Sequence, residues 1–339
     1  MSVPAALSAP AALSAPLPVV IPTCHGGPLL WRCVAALRQQ PVGEITVVVA
    51  RDGPVDAPPG LRLLHIGRAH FARAANAGLR ATPRGSVLLL NDDTEPQPGL
   101  LQRLGEAAAA GGEGIYQPAL LLDDGSGRID NLGHRWWPDG ANLARGRGRP
   151  WTAAEALRRA TTVGAFSGAA VLFTGAARER VGLFDEDFEA FGEDADLSLR
   201  AARLGIEIRL VPAAVVLHRL GASYGRAEPW KVFQVERNRV RAALRSLPAL
   251  ALLGAPAWTV ARYGALGLGA LRGEGLGAAA GPTGGLAALA GGLAGLASAP
   301  DALQKRSADR PQRRAGELDM LRWLWAHRAG RAELWAEQP

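Results

Sequence analysis

Ser86-Val-Leu-Leu-Leu-Asn-Asp-Asp-Thr-Glu95 passes without transition from an apolar run, Val87 to Leu90, to Asn91, Asp92 and Asp93, with Pro96 and Pro98 behind. An uncharged run of that kind predicts a strand buried on both faces, as in a parallel sheet covered by helices. Two carboxylates at its carboxyl end then fall where open α/β sheets bind ligands. Hard oxygen ligands at such a place suit Mg²⁺ or Mn²⁺, ions that commonly accompany a substrate diphosphate. The plain alternative is that Asp92 and Asp93 cap a helix beginning near Gly99, a role Asp favours.

Working outward, the same alternation repeats. Leu17–Ile21 predicts a strand ending in Pro22-Thr23, and Pro28 to Gln39 a helix with Leu30, Val34 and Leu37 at helical spacing. Glu44–Ala50 and Leu61–Ile66 predict two further strands, the first ending in Arg51-Asp52-Gly53, and a helix from Phe71 to Leu79 carries Asn76. Strands alternating with helices imply a doubly wound, mostly parallel sheet of the α/β class. Asp52 can accept hydrogen bonds from a nucleotide, or simply serve its Asp-Gly-Pro turn. No Gly-x-Gly-x-x-Gly follows the first strand and no phosphate loop occurs, which argues against an NAD enzyme and a P-loop NTPase.

Beyond the central run, His134, Trp136 and Trp137 lie between turn signals; one tryptophan is expected in the core, while the other could stack on a sugar. Phe166-Ser-Gly168-Ala-Ala170 is small enough for a ligand to approach the backbone. Glu193-Asp194-Ala-Asp196-Leu-Ser-Leu-Arg200 opens a helix that stops at Gly205, so Glu193 and Asp194 either favour the helix dipole or aim a base into a cleft. Ile206–Val211 and Val215–Leu217 predict two more strands, the last ending in His218. Gly221-Ala-Ser223-Tyr-Gly225 fits a nucleophile elbow, but the charged, Pro229-containing stretch behind it is a poor match to the helix that elbow needs.

The chain has 339 residues, 48% hydrophobic, and a formal charge of +7. Residues 1–230 hold 23 basic and 23 acidic residues, whereas from 231 onward there are 15 basic and 8 acidic. A neutral body with a basic appendix points to an anionic partner surface for the tail. Nucleic acid is the rival anion, but no recognition motif for it is present. Cys24 and Cys33 match no metal or redox spacing and indicate buried thiols in a reducing compartment. Residues 1–16, a repeat of Pro-Ala-Ala-Leu-Ser-Ala-Pro without a basic start, are expected to form a disordered leader. From Leu247 to Ala299 the chain is rich in Ala, Gly and Leu. The stretch from Gly275 is long enough to span a bilayer but glycine-laden, which favours amphipathic helices at a membrane surface, with Arg-rich 305–314 and Trp323, Trp325 and Trp335 suited to an anionic interface.

With these landmarks in order, the sequence from about Pro18 to Arg245 resembles the family 2 inverting glycosyltransferases of the GT-A fold, and most of all bacterial rhamnosyltransferase-like members that build cell-surface polysaccharide. The blocks that carry the likeness are Ser167-Gly-Ala-Ala, Gly182-Leu-Phe-Asp185, Glu193-Asp194-Ala-Asp196 to Arg200, Leu204-Gly205, Val211-Pro212, His218 and Glu236-Arg-Asn238-Arg. The resemblance implies a GT-A domain over 17–245, and the composition beyond it a helical, membrane-associated extension over 246–339. It implies a nucleoside-diphosphate sugar donor, a glycan or lipid-linked glycan acceptor, Mg²⁺ or Mn²⁺, and a cytoplasmic protein peripheral on the inner face of the membrane. Asn91-Asp92-Asp93 stands for the Asp-x-Asp motif, with Asn91 a departure at its first position. Asp93 and His218 are then expected to bind the metal and Asp194 to be the catalytic base. Pro22, Thr23, Asp52, Asn76, Asn91, Asp92, Trp137, Gly168 and Glu193 form the expected nucleotide- and substrate-binding set. Nucleotidyltransfer would need a basic loop after the first strand, yet Thr23 to Pro28 has no Arg or Lys. A non-catalytic, membrane-docked member is opposed by intact Asp93, Asp194 and His218.

Overall fold

The computed structural model describes residues 16–219, 228–271, 275–330 and 333–334; the leader over 1–15, the Gly221–Gly225 segment and Trp335 lie outside them. The first half alternates as its periodicity demands: β1 (Leu17–Thr23), α1 (Pro28–Arg38), β2 (Val42–Val49), β3 (Arg62–His65), α2 (Phe71–Ala81), β4 (Val87–Leu90), β5 (Thr94–Pro96), α3 (Leu100–Gly111) and β6 (Ile115–Leu122). Short strands β7 (Ile129–Asn131), β8 (His134–Trp136) and β9 (Asn142–Ala144), a helical turn α4 (Ala153–Ala156) and β10 (Thr161–Thr162) lead into β11 (Ala170–Phe173), α5 (Gly175–Val181), α6 (Glu193–Arg203) and β12 (Ile208–His218). The chain closes with α7 (Pro229–Ser246), α8 (Ala249–Leu271), α9 (Gly275–Ala297), α10 (Ala299–Asp309) and α11 (Glu317–Ala326).

The main sheet runs β10-β12-β6-β11-β4-β1-β2-β3. Strands β3, β2, β1 and β4 are mutually parallel, and β6 and β12 are parallel to each other. β11 is antiparallel to both β4 and β6. It therefore enters the sheet at the edge where its neighbours end, which brings residues 167–169 beside Asn91. The two strands expected around Pro212 are one strand: its pairing with β6 shifts register between Val211 and Val215, and that irregularity absorbs the proline.

β4 is buried at all four positions. Val87 and Leu89 join Val20, Val48 and Val171 on one face, under α2, α5 and α6; Leu88 and Leu90 join Ile21, Val47 and Leu172 on the other, against α1 and α3. Each buried leucine contributes about 1.5–3 kcal/mol. The polar triplet behind it has only the sheet edge to occupy.

The C-terminal helices pack on the α6 side. Trp136, Phe188, Leu199, Ala243 and Met320 form one shared core. α9 meets α7 with its small residues: Gly284, Ala288, Gly291 and Gly295 are buried. A Cβ on Gly291 would stand 2.3 Å from the Phe233 carbonyl oxygen, and one on Gly295 would stand 2.6 Å from Val240 Cβ. Leu286, Leu289, Leu293 and Leu296 consequently face outward. Among the described residues no single helix is long and apolar enough to cross a membrane; a pair over 281–297 and 299–312, bent by 55°, reaches that composition only when taken together.

α8 is docked by charge. Arg262 is buried and lies 2.8 Å from Asp139 and 2.8 Å from Glu236, both buried themselves. Burial opposes ionisation of Glu236, but Arg262 and Arg239 override it and hold the carboxyl at about 2. Arg262→Ala strips a partner from two buried carboxylates and is expected to cost about 3–5 kcal/mol. Urea unfolding measures it; a loss below about 1 kcal/mol would mean that α8 is not held by this pair.

Candidate active site

Four chain segments converge on the carboxyl edge of the sheet. β1 delivers Thr23 and β4 delivers Asn91 to Asp93. The Thr23 hydroxyl donates to Asp92 Oδ2 and itself accepts from Gly26 N–H at 2.9 Å. Burial, reinforced by Asp93, pushes the Asp92 carboxyl up to about 6 against the Thr23 hydrogen bond. The helix after Pro98 starts at Leu100 from Gly99, with no side-chain cap, so Asp92 and Asp93 do not cap it. Asn91 Oδ1 and Asp93 Oδ1 are both buried without a hydrogen-bond donor.

β12 brings His218 to the same edge, paired with Thr94 and Leu122. Its Nδ1 is 2.8 Å from Asp130 Oδ2 and its Nε2 is 3.5 Å from Asp93 Oδ1. Asp130 is in turn 3.2 Å from Arg147. Burial alone would lower the imidazole, but the hydrogen bond to Asp130 and the Asp93 carboxylate 3.5 Å away raise it, and a cation held there would take the place of the Nε2 proton. Asp130 thus fixes the ring so that Nε2, not Nδ1, faces Asp93.

The fourth segment joins β11 to α6. Ala169 accepts from Asn91 N–H at 2.9 Å, and the next residue back, Gly168, donates its N–H to Asp194 Oδ2 at 3.1 Å. Asp194 Oδ1 accepts from Ala195 N–H at 2.8 Å. Asp194 and Asn91 are thus bonded to adjacent residues of the segment that leads into β11. A Cβ on Gly168 would meet nothing nearer than the Phe71 ring at 3.4 Å, so packing leaves a small space over this residue.

Beside it, Glu193 is buried with Oε2 unpartnered; burial and then the Asp194 charge push its carboxyl up to about 8. Asp196, two residues on, is fully buried and bonded to Arg200 at 2.8 Å and Arg245 at 3.2 Å. It is a structural ion pair and no candidate base.

The turn before α6 is strained. Glu189 and Phe191 adopt φ of 61° and 65°, unusual outside glycine. Asn238 of α7 holds it, donating to the Phe188, Ala190 and Phe191 carbonyls at 2.8, 3.0 and 2.7 Å.

Two expected site residues lie elsewhere. Asn76 is buried and bonds the Phe184 backbone in both directions, at 2.9 and 3.0 Å, as well as Glu186. Trp137 is buried against Trp258, with its N–H on the Trp258 carbonyl at 3.1 Å, and Trp136 is buried too, donating to Gly164. Neither ring is open for a sugar. Pro22 is buried within β1, and Asp52 is exposed after β2, near Gly67. Asp130 and Arg147 escaped sequence reasoning because they sit in the irregular stretch between β6 and β11, and only contact reveals them.

Residues 19–174 match the family model for glycosyl transferase family 2. Over those residues the chain carries a glycosyltransferase family 2 domain. This glycosyltransferase is 29% identical over 248 residues to the N-acetylglucosaminyl-diphospho-decaprenol L-rhamnosyltransferase of Mycobacterium tuberculosis, covering 62% of this chain and 78% of the relative. Among solved structures it superposes on GalNAc-T7 crystallised with UDP, GalNAc and Mn²⁺, at a TM-score of 0.51 and 16% identity, over 69% of this chain and 48% of that one. It superposes also on Staphylococcus aureus TarS 1-349, at a TM-score of 0.50 and 12% identity, over 91% and 89%. Those two likenesses are of fold. They agree with the GT-A expectation.

Glu193 makes the site's stability pH-dependent. Its ordinary value is 4.5, and the folded chain keeps the proton up to about 8 while the unfolded chain releases it. Stability therefore falls as pH rises through that window. Glu193→Gln should flatten the decline, with the melting temperatures of variant and parent diverging toward pH 8. Parallel curves between pH 5 and 8 would remove the raised value.

Proposed function

We propose that this glycosyltransferase transfers a sugar from a nucleoside-diphosphate sugar to a hydroxyl of a lipid-linked glycan, with inversion in a single displacement. What supports this most is the placement of Asp194, hydrogen-bonded to Gly168, whose neighbour Ala169 is bonded to Asn91 of the triplet. A diphosphate at the triplet puts the anomeric carbon between the two. The acceptor oxygen attacks that carbon, Asp194 Oδ takes its proton, and the bond to the diphosphate oxygen breaks with its electron pair leaving on the nucleoside diphosphate. Burial raises the Glu193 carboxyl, which disfavours a second negative charge beside the base.

Asp93 and His218 fit a divalent cation. Asp93 Oδ1 is buried and unsatisfied, and the Asp130 hydrogen bond turns Nε2 of His218 toward it. Among the described residues no set of three protein ligands gathers, which suits Mg²⁺ or Mn²⁺ completed by diphosphate oxygens and water. Such an ion would offset charge on the leaving diphosphate. The Mycobacterium relative is named for a deoxyhexose transferred to a diphospho-decaprenol acceptor, which favours a rhamnosyl-type donor and a polyprenyl-linked acceptor here.

Two variants test the reaction together, using a nucleotide-sugar panel with Mn²⁺. Asp194→Asn should lower turnover by about 10²–10⁴ while calorimetric donor affinity survives. Asp93→Ala should lose metal-dependent donor binding with its fold intact. Turnover within a few-fold of the parent in the first, or unchanged nucleotide affinity in the second, would overturn the assignment.

A lipid-linked acceptor places the enzyme at a membrane, and we propose that it sits peripherally on the cytoplasmic face through the α9 leucines and Leu250, Leu253 and Val260 of α8, all exposed. Truncation near Leu247 is a poor test, because it uncovers the Trp136 core. Leu289→Glu with Leu293→Glu leaves the glycine face untouched and should weaken vesicle flotation about tenfold or more. Undiminished flotation would refute this placement.

A further inference from the structure

The least balanced charge in the protein lies away from the transfer site. A cleft of about 570 Å³ opens between the end of α6 and the segment from α10 to α11, lined by Arg203, Arg306, Arg310, Arg313, Arg314 and Glu317. Five guanidinium groups share one carboxylate there. Asp309, close by, is taken by Arg245 at 2.8 Å.

The arginines do have hydrogen bonds, but mostly to carbonyls, which satisfy N–H groups without balancing charge. Arg203 donates to Ser246 O at 2.9 Å and lies 2.9 Å from Glu317. Arg306 donates to Leu247 O at 2.6 Å, and Arg313 to Arg306 O at 2.9 Å. Arg313 Nε is buried with no acceptor. The Arg310 and Arg314 side chains line the cleft and reach no acceptor among the described residues. Burial first, then neighbouring arginines, hold Arg203, Arg306 and Arg313 below the usual guanidinium range. Like charges gathered in this way are unfavourable unless an anion joins them.

Geometry narrows the anion. Arginine forks match phosphate oxygens, and α11 points its N-terminus, at Gly316 and Glu317, into the cleft. One side of the lining is apolar, with Ala249 and the exposed Leu303, and Leu318, next to Glu317 in sequence, is exposed too. The cleft takes a small headgroup rather than a duplex. Arg203 is nine residues beyond Asp194 on α6, about 14 Å along the helix, so this place is separate from the transfer site.

We propose that this cleft binds a multiply charged phosphate group, either on a lipid headgroup seated against the apolar side or on a soluble phosphate compound. The inference stands independently of the reaction assigned to Asp194.

The test uses the full chain at matched ionic strength with a chelator present, so that metal-dependent binding at Asp93 is silent. One arm titrates inorganic pyrophosphate by calorimetry. The other floats the protein on phosphatidylcholine vesicles with and without phosphatidic acid. Arg310→Ala with Arg314→Ala removes two exposed side chains that support no described contact, and Arg322→Ala, on an exposed face of α11, is the control. The parent and the control should bind alike, and the double variant about tenfold or more weaker. Binding in the pyrophosphate arm alone identifies a soluble ligand, and phosphatidic-acid-dependent flotation alone a lipid headgroup; either upholds the site. No binding in both arms, or equal binding by the double variant, overturns it.

Discussion

Asp196 has no contact with solvent, and its charge is met by Arg200 from its own helix and Arg245 from α7. A buried carboxylate stripped of its partners costs several kcal/mol, so any movement of α6 away from α7 that opens this contact is strongly opposed. Asp194 is two residues away on the same helix. Its position relative to the Asn91–Asp93 triplet is set by a salt bridge on the helix's hidden side. Arg245 also reaches Asp185 and Asp309, and Lys305 closes on Asp185 and Asp187. Asp194 is thereby held in place by residues that lie more than a hundred positions further along the chain.

The same arrangement explains how a strained turn persists before α6. Glu189 and Phe191 with positive φ each cost about 1–3 kcal/mol. Three carbonyls bonded to one Asn238 amide return that energy, and Gln234 adds a bond to Glu189 at 2.9 Å. The turn delivers Gly192 in a left-handed conformation, from which the helix starts with Glu193 and Asp194 in its first turn. Asn238 was visible in the sequence only as part of a resemblance; its role needed the three-dimensional contact.

Much of this sheet edge was legible because it follows from burial. A run such as Val87–Leu90 can only be interior, so its polar successor can only be at an end, and the argument carries over to Thr23 and His218. Where a residue type serves several purposes, sequence was a poorer guide. Asn76 and Asn238 are both buried asparagines that hold backbone, and no local pattern separates that role from a ligand contact. Trp137 followed the alternation of β8 in being placed opposite Trp136, but α8 covers the face that would otherwise have been open. The direction of β11 was hidden too, since a run of small and apolar residues looks the same read either way.

The tail's composition carried a further ambiguity that packing resolves. Glycine in 275–297 reads as weakness in a helix, yet Gly284, Gly291 and Gly295 lie on the packed face of α9, and its leucines are left outside. The basic excess divides in the same manner. Arg239, Arg241, Arg245 and Arg262 are half of a set of buried or half-buried pairs that use up Glu236, Asp301 and Asp309. Among the described residues, the cleft arginines from 306 to 314 are then left with Glu317, which they share with Arg203. Part of a charge that looks spread over a hundred residues is, once these pairs are formed, gathered in one cleft. That concentration follows from the order in which acids and bases occur along the chain, because the helices that spend the acids are the ones that bring the remaining arginines together.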